Sequence, residues 1–349
     1  MGYRTSRALL SLLIICCCGF FARPASGADF LYVPVSNAVH VIDCATDTVI
    51  KTINAYDDYI VTAAFSPDGK RYYACGWESI YAIDTATNEL VDTFNFSTPL
   101  SKVAIGAFAV SDDGERLYLA ASIVKKKQNV PRLNVLPPQL VVYDMAKRKI
   151  VKSFEISYGI LAVLPVRNDP NSLILVGLDV HKLNMKTGKL EMMMGLLHPG
   201  EGEEKKNLST ANTNMSPGDH GIVAFPYVTM SEAGPGIGYL LVDTNTGKLS
   251  TIKGEHLWFE YSVRVSPDKK YMYAVMDELI RIDIKTGKTL AYVQLEQGTV
   301  YCVAVTPDGK KIYAGPGGPD IAVYDAETLE LLGVIPLDAD GKVAHLLSK

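Results

Sequence analysis

Ser266 to Leu295 reads SPDKKYMYAVMDELIRIDIKTGKTLAYVQL, and the rest of the chain is largely the same phrase repeated. Ser266-Pro267-Asp268-Lys269 is a tight turn, Tyr271 to Met276 a strand and Leu279 to Asp283 a second strand. Thr286-Gly287 is a hairpin turn, and Leu290 to Leu295 a third strand. Each turn has a physical cause. Proline presets φ at the second turn position, Asp side chains bond nearby amides, and glycine takes the left-handed conformation that β-branched residues resist.

The acidic or amide residue that ends the middle strand recurs as Asp43, Asp84, Asp144, Asn184, Asp243, Asp283 and Asp325, at intervals of 41, 60, 40, 59, 40 and 42 residues. That period is the length of a four-stranded propeller blade. Four residues beyond the marker stand Asp47, Asn88, Gly188, Gly247 and Gly287 in five of the seven copies, residue types that tolerate positive φ. The other turn recurs as Ser66-Pro67-Asp68-Gly69, Ser111-Asp112-Asp113-Gly114, Ser216-Pro217-Gly218-Asp219 and Thr306-Pro307-Asp308-Gly309, with a worn copy at Asn168-Asp169-Pro170. Two independent signals thus share one period and predict an all-β, seven-bladed propeller.

The first marker lacks a preceding turn, so blade one opens with only three strands, Phe30 to Ile53. The C-terminal Lys342 to Leu347 reads as a spare strand. Pairing it into blade one closes the ring and removes the two exposed edges that an open array of six full blades would present.

The 349 residues are consumed by one propeller, so residues 28–349 form a single domain. Arg4 and Arg7 precede an apolar run from Ala8 to Phe21, and Ala25-Ser26-Gly27 supplies small residues for cleavage, so residues 1–27 read as a secretory signal peptide. The apolar run is short for a membrane span. A lipid anchor at Cys16, Cys17 or Cys18 is the alternative, although Ile15 just before Cys16 is a poor small-residue context. The formal net charge is −4, and loss of Arg4, Arg7 and Arg23 with the leader makes it −7, which argues against nucleic acid as a partner. Cys44, Cys75 and Cys302 then remain, in different blades, and read as buried thiols rather than a disulfide framework.

The repeat is broken in three places. Blade three carries Ser122 to Gln139 (SIVKKKQNVPRLNVLPPQ) between its second and third strands. Blade five carries His198 to Ser209 in the connection from blade four and Thr229 to Gly238 between its second and third strands. Strand alternation puts all three on one face, opposite the two short turns of each blade, and loops displayed by a rigid scaffold are where binding concentrates. The same face collects aromatic residues at the approach to innermost strands: Tyr59, Tyr158, Trp258, Phe259, Tyr261 and Tyr301. These either fill the channel top and pack between blades or line a hydrophobic cleft for an apolar ligand or partner. Tyr158, Trp258, Phe259, Tyr261 and Tyr301 are the candidate wall or interface anchors, with Asp57 and Asp58 as polar rim.

Several patterns carry no chemistry of their own. No haem-attachment, paired metal-ligand or phosphate-loop spacing occurs. His40 and His181 stand three residues before a marker, where other blades hold Tyr81, Val141, Leu240, Ile280 and Ala322, so this is a packing position. Cys75-Gly76-Trp77 sits in an ordinary blade strand. Lys125-Lys126-Lys127 is either a docking patch or a solvated run. Asp57, Asp58 and Glu260 fall short of the ring of ligands that a metal-dependent propeller lactonase needs.

Phe96-Ser97-Thr98-Pro99 with Val103 and Gly106 to Gly114, followed by the long connection into Leu140 to Asp144, resembles the third blade of the β subunit of quinohaemoprotein amine dehydrogenase. Ala322 to Glu330 and Trp258-Phe259-Glu260-Tyr261 extend the resemblance over nearly all of the mature chain, and the methylamine dehydrogenase heavy chain is related. The resemblance implies a periplasmic propeller subunit with no cofactor of its own, beside a dihaem cytochrome c-like subunit and a small subunit bearing cysteine tryptophylquinone, jointly oxidising primary amines. No catalytic residue transfers with it. The other class of function compatible with the repeats is a freestanding secreted propeller that binds a protein or glycan.

Overall fold

The computed structural model describes residues 28–54, 59–209, 221–231, 234–255, 259–341 and 344–348, which form strands only, in seven antiparallel sheets set as the blades of a β-propeller. Blade one holds β1 (Asp29–Pro34), β2 (Ala38–Asp43) and β3 (Thr48–Asn54). Blade two holds β4 (Thr62–Phe65), β5 (Arg71–Cys75), β6 (Ser79–Asp84) and β7 (Glu89–Asn95). Blade three holds β8 (Ser101–Val110), β9 (Arg116–Lys126), β10 (Leu133–Val135), β11 (Gln139–Asp144) and β12 (Lys149–Glu155). Blade four holds β13 (Ala162–Pro165), β14 (Ser172–Val176), β15 (Val180–Asn184) and β16 (Leu190–Met194). Blade five holds β17 (Lys206–Leu208), β18 (Ile222–Ser231), β19 (Gly234–Asp243) and β20 (Leu249–Lys253). Blade six holds β21 (Ser262–Val265), β22 (Tyr271–Val275), β23 (Glu278–Asp283) and β24 (Thr289–Gln294). Blade seven holds β25 (Cys302–Val305), β26 (Lys311–Gly318), β27 (Asp320–Asp325) and β28 (Leu331–Pro336).

The closing strand is β29 (His345–Ser348), which pairs with β1 in the register Asp29↔Ser348, Phe30↔Leu347, Leu31↔Leu346 and Tyr32↔His345. The C-terminus therefore supplies the innermost strand of blade one, as the missing first turn predicts. Of the expected tail strand, Lys342 and Val343 lie outside the described residues, as does the turn at Ser216 to Asp219.

The repeat signature works through the hydrogen bonds it was expected to make. Asp283 Oδ1 accepts from the backbone N–H groups of Lys285 and Thr286, and Asp84, Asn184 and Asp325 do the same in blades two, four and seven. In the other turn Ser266 Oγ donates to Asp268 and accepts from the Tyr271 N–H, an arrangement shared by Ser66 and Thr306. Positive φ occurs four residues after all seven markers. It occurs at Arg148 (51°) and Leu329 (60°) as well as at the five residues whose type tolerates it. The hairpin imposes its backbone on two side chains that disfavour it.

Seven apolar clusters hold the ring, one at each contact between neighbouring blades. Leu31, Val33 and Ile42 of blade one meet Cys302, Tyr313 and Ile321 of blade seven, so closure buries a core as complete as any other. Tyr32 meets Phe65 edge-on and Tyr72 packs tilted against both rings between blades one and two, where Leu347 from the closing strand joins them. Outer strands bury little. β3 and β12 each expose six of seven residues, because one edge of each blade faces water. Cys44, Cys75 and Cys302 are buried, each in a different blade.

Candidate partner-binding face

Connections between the second and third strands of a blade, and between blades, share one side of the disc. The inserted segments on that side are not loops alone. β9 continues to Lys126 and is flanked by an equally extended β8 and by β10, so the blade-three insertion is a three-stranded arm. In blade five, β18 and β19 extend together from Ser231↔Gly234 to Ile222↔Asp243, and β17 pairs with Tyr227 to Thr229 to widen that arm. Both stretches, expected as connections, are thus largely paired strand. Their lysines, glycines and prolines lack the alternation of a half-buried strand because these strand ends project into solvent on both faces.

Blade four lies between the arms. Tyr158 on its lead-in is 69% exposed, and Leu161 and Leu178 beside it are also exposed. Gly159 and Gly177 bring the lead-in and the β14–β15 turn into backbone contact. A Cβ on Gly177 would stand 2.2 Å from the Gly159 carbonyl oxygen, so that approach requires glycine. The arms add exposed Leu133 and Val135 from blade three and Met230 from blade five. The charges differ. Lys125, Lys126, Lys127 and Arg132 stand on the blade-three arm, whereas Glu201, Glu203 and Glu204 stand exposed beside the blade-five arm.

That acidic segment is anchored by a pair the sequence did not reveal. His198 Nδ1 lies 2.7 Å from Asp179 Oδ2, and Asp179 Oδ1 accepts from the N–H groups of Leu196 and His198. Burial works against the Asp179 charge, but the bonds from His198 and Leu196 prevail and hold the carboxyl below its ordinary value. His40 is likewise structural, bonded to Thr52 at 3.0 Å and Asp338 at 2.7 Å.

Of the predicted wall residues, Phe259, Tyr261 and Tyr301 come together. Phe259 meets Tyr261 edge-on at 6.0 Å and Tyr261 meets Tyr301 at 5.6 Å, across blades six and seven. Tyr158 belongs to a separate patch on blade four. Trp258, Asp57 and Asp58 lie outside the described residues.

Glu260, between two of these aromatics, does not line the mouth. It is 2% exposed, and Oε1 accepts from the Tyr239 hydroxyl at 2.7 Å, while Oε2 has no partner. Burial pushes its carboxyl up to about 8, against the lowering effect of the Tyr239 bond. Its sequence signal was weak, since a carboxylate between exposed rings ordinarily reads as solvated. Among the described residues no group of three His, Cys, Asp or Glu side chains is placed to hold a metal ion.

No family model matches the sequence, and no curated protein is significantly similar to it. Solved structures share the fold. Hydrazine synthase of Kuenenia stuttgartiensis aligns with a TM-score of 0.53 at 16% identity over 87% of this chain and 90% of that one. Apo AztD of Citrobacter koseri aligns with a TM-score of 0.57 at 14% identity over 93% of this chain and 98% of that one. At these identities the likeness is one of architecture, and the seven-bladed propeller is what it establishes.

Proposed function

We propose that this chain is the propeller subunit of a periplasmic quinohaemoprotein amine dehydrogenase, delivered by a cleaved leader over residues 1–27. Its irregular face would hold a dihaem cytochrome c-like subunit and a small quinone-bearing subunit. The observation that carries this reading is the placement of both strand arms and the exposed apolar patch of blade four on a single side of the disc. Apolar side chains clustered on one rigid face are a feature of protein interfaces.

In that assembly the conversion of RCH2NH2 and water to aldehyde, ammonia, two protons and two electrons belongs to cysteine tryptophylquinone and c-type haem on the partner chains. This chain contributes surface. Phe259, Tyr261 and Tyr301 form an aromatic row able to wall an amine cavity, and Tyr158 lies in the patch that meets a partner. Its own Cys75 and Trp77 do not fit a crosslinked quinone, since Cys75 is fully buried with its thiol on the Gly76 carbonyl and Trp77 is half exposed.

Affinity purification of the tagged chain from the periplasm, followed by haem staining, quinone redox-cycling staining and an amine-dependent dye-reduction assay, tests the reading. Co-purification of a haem-staining and a quinone-staining chain with amine-dependent activity is expected. A chain that purifies alone, or with a partner lacking both groups, overturns it in favour of a freestanding secreted propeller.

A further inference from the structure

The arm of blade three ends in an open sheet edge. β10 pairs with β9 through Leu133↔Lys126, Asn134↔Lys125 and Val135↔Val124, and no other strand pairs with β10 among the described residues. The Leu136 N–H donates to the Ile123 carbonyl, and the Lys126 N–H donates to Leu100 on the opposite side. Backbone groups alternate along a strand, so Asn134 turns its N–H and C=O toward β9 while Leu133 and Val135 turn theirs outward. All three residues of β10 are exposed.

Exposed edges are commonly guarded by charge or proline. Here Pro131 and Pro137-Pro138 bracket the edge, but the strand itself carries Leu133-Asn134-Val135, with Arg132 just before it and Lys125 to Lys127 behind it. Lys125, Lys126, Lys127 and Arg132 have no ion pair among the described residues, and no Asp or Glu occurs from Arg116 to Tyr143. In a chain of net charge −4 this is a local excess of cations around open backbone.

Resting on the reading that this face meets partner chains, we propose that the β10 edge accepts an added strand from an acidic partner polypeptide, whose carboxylates lie against Lys125, Lys126, Lys127 and Arg132. Backbone bonds to Leu133 and Val135 supply the pairing, and the cations select the sequence. A second copy of this chain is the disfavoured occupant, because edge-to-edge pairing of two β10 strands would bring both cation clusters together.

Fluorescence anisotropy with a labelled peptide of alternating Glu and Val is the first test. A control peptide with Pro in place of every Val keeps the charge and loses the strand. The Glu-Val peptide is expected to bind at least about tenfold more tightly than the control. Val135→Pro removes only an outward N–H, so circular dichroism stays unchanged while binding falls about tenfold or more. Lys125→Glu/Lys126→Glu/Lys127→Glu abolishes it. Equal binding of the two peptides, an inert Val135→Pro, or a peptide-free dimer that Val135→Pro dissolves overturns the proposal.

Hydrogen exchange on the purified complex is the second test. The Leu133 and Val135 amides are expected to slow at least about tenfold relative to the free chain. Unchanged exchange in an intact complex overturns strand addition and leaves the subunit reading standing. Peptide binding by a chain that never assembles does the reverse.

Discussion

The hydroxyl of Tyr239 donates to Glu260 Oε1 across 2.7 Å, joining β19 of blade five to the lead-in of blade six inside an otherwise apolar contact. Burial pushes the Tyr239 phenol far above its ordinary value, and the charge that Glu260 takes on in alkali raises it further, so this hydroxyl remains a donor at any physiological pH. Burial likewise keeps Glu260 protonated at neutrality, with its carboxyl near 8 in place of 4.5.

Stability should therefore fall with rising pH across that window. Below about 4.5 the carboxyl is neutral in both states; between about 4.5 and about 8 the unfolded chain ionises while the fold does not; above about 8 the loss is complete. The full effect is on the order of 5 kcal/mol. Glu260→Gln should flatten this limb, measured by urea unfolding at a series of pH values. An unchanged slope would show that Glu260 is already ionised in the fold.

His345 carries the opposite dependence at the ring closure. It is fully buried on β29 with Nδ1 at 3.3 Å from the Tyr72 hydroxyl, and burial, then the Arg264 charge, lowers its pKa to about 3. As pH falls from about 6.5 toward about 3 only the unfolded chain gains the proton, so stability is lost over that range. Acid should open the β29–β1 pairing before it unfolds the other blades. Hydrogen exchange of the β29 amides at decreasing pH checks this, and His345→Gln should remove the dependence.

Leu347 couples closure to the blade-one and blade-two core. It is 2% exposed, and a Cβ on Gly69 would stand 2.9 Å from its Cδ1. Leu347→Ala should cost about 3 kcal/mol. Truncation before His345 should do more, because it bares the inner edge of β1 and invites aggregation. Thermal melts with light scattering distinguish the two. A truncated chain that melts like the full one would remove the closing strand from the stability argument.

Tyr158 should behave in the reverse manner. Being 69% exposed, it contributes little to folding, and Tyr158→Ala should change stability by less than about 0.5 kcal/mol. Under the subunit reading the same substitution weakens assembly by about tenfold. Quantitative co-purification against a wild-type control measures it. Retained assembly would place the partner elsewhere on the face.

The architecture was readable from residue types because its signals are local. Asp283 reaches amides two and three residues ahead, and Ser266 reaches one five residues on, so the turn chemistry is written within a few positions wherever it occurs. Repetition then counted the blades, and the unpaired opening of blade one at Phe30 asked for the strand that β29 provides. The common side of the insertions followed from strand alternation alone.

What sequence could not carry is everything set by residues brought together from far apart. Arg148 and Leu329 take positive φ because hairpins built by their neighbours demand it, although nothing in their own chemistry announces it. Tyr158 parts from Phe259, Tyr261 and Tyr301 because position around the ring, absent from linear spacing, decides which aromatics meet. Glu260 becomes a buried acid only once Tyr239 of the preceding blade closes over it. Lys125 to Lys127 become the backing of a free edge only once β10 folds against β9. Turn formation depends on neighbours along the chain and was determined by the sequence directly; burial and pairing depend on neighbours in space, and those exist only after the seven blades have shut into a disc.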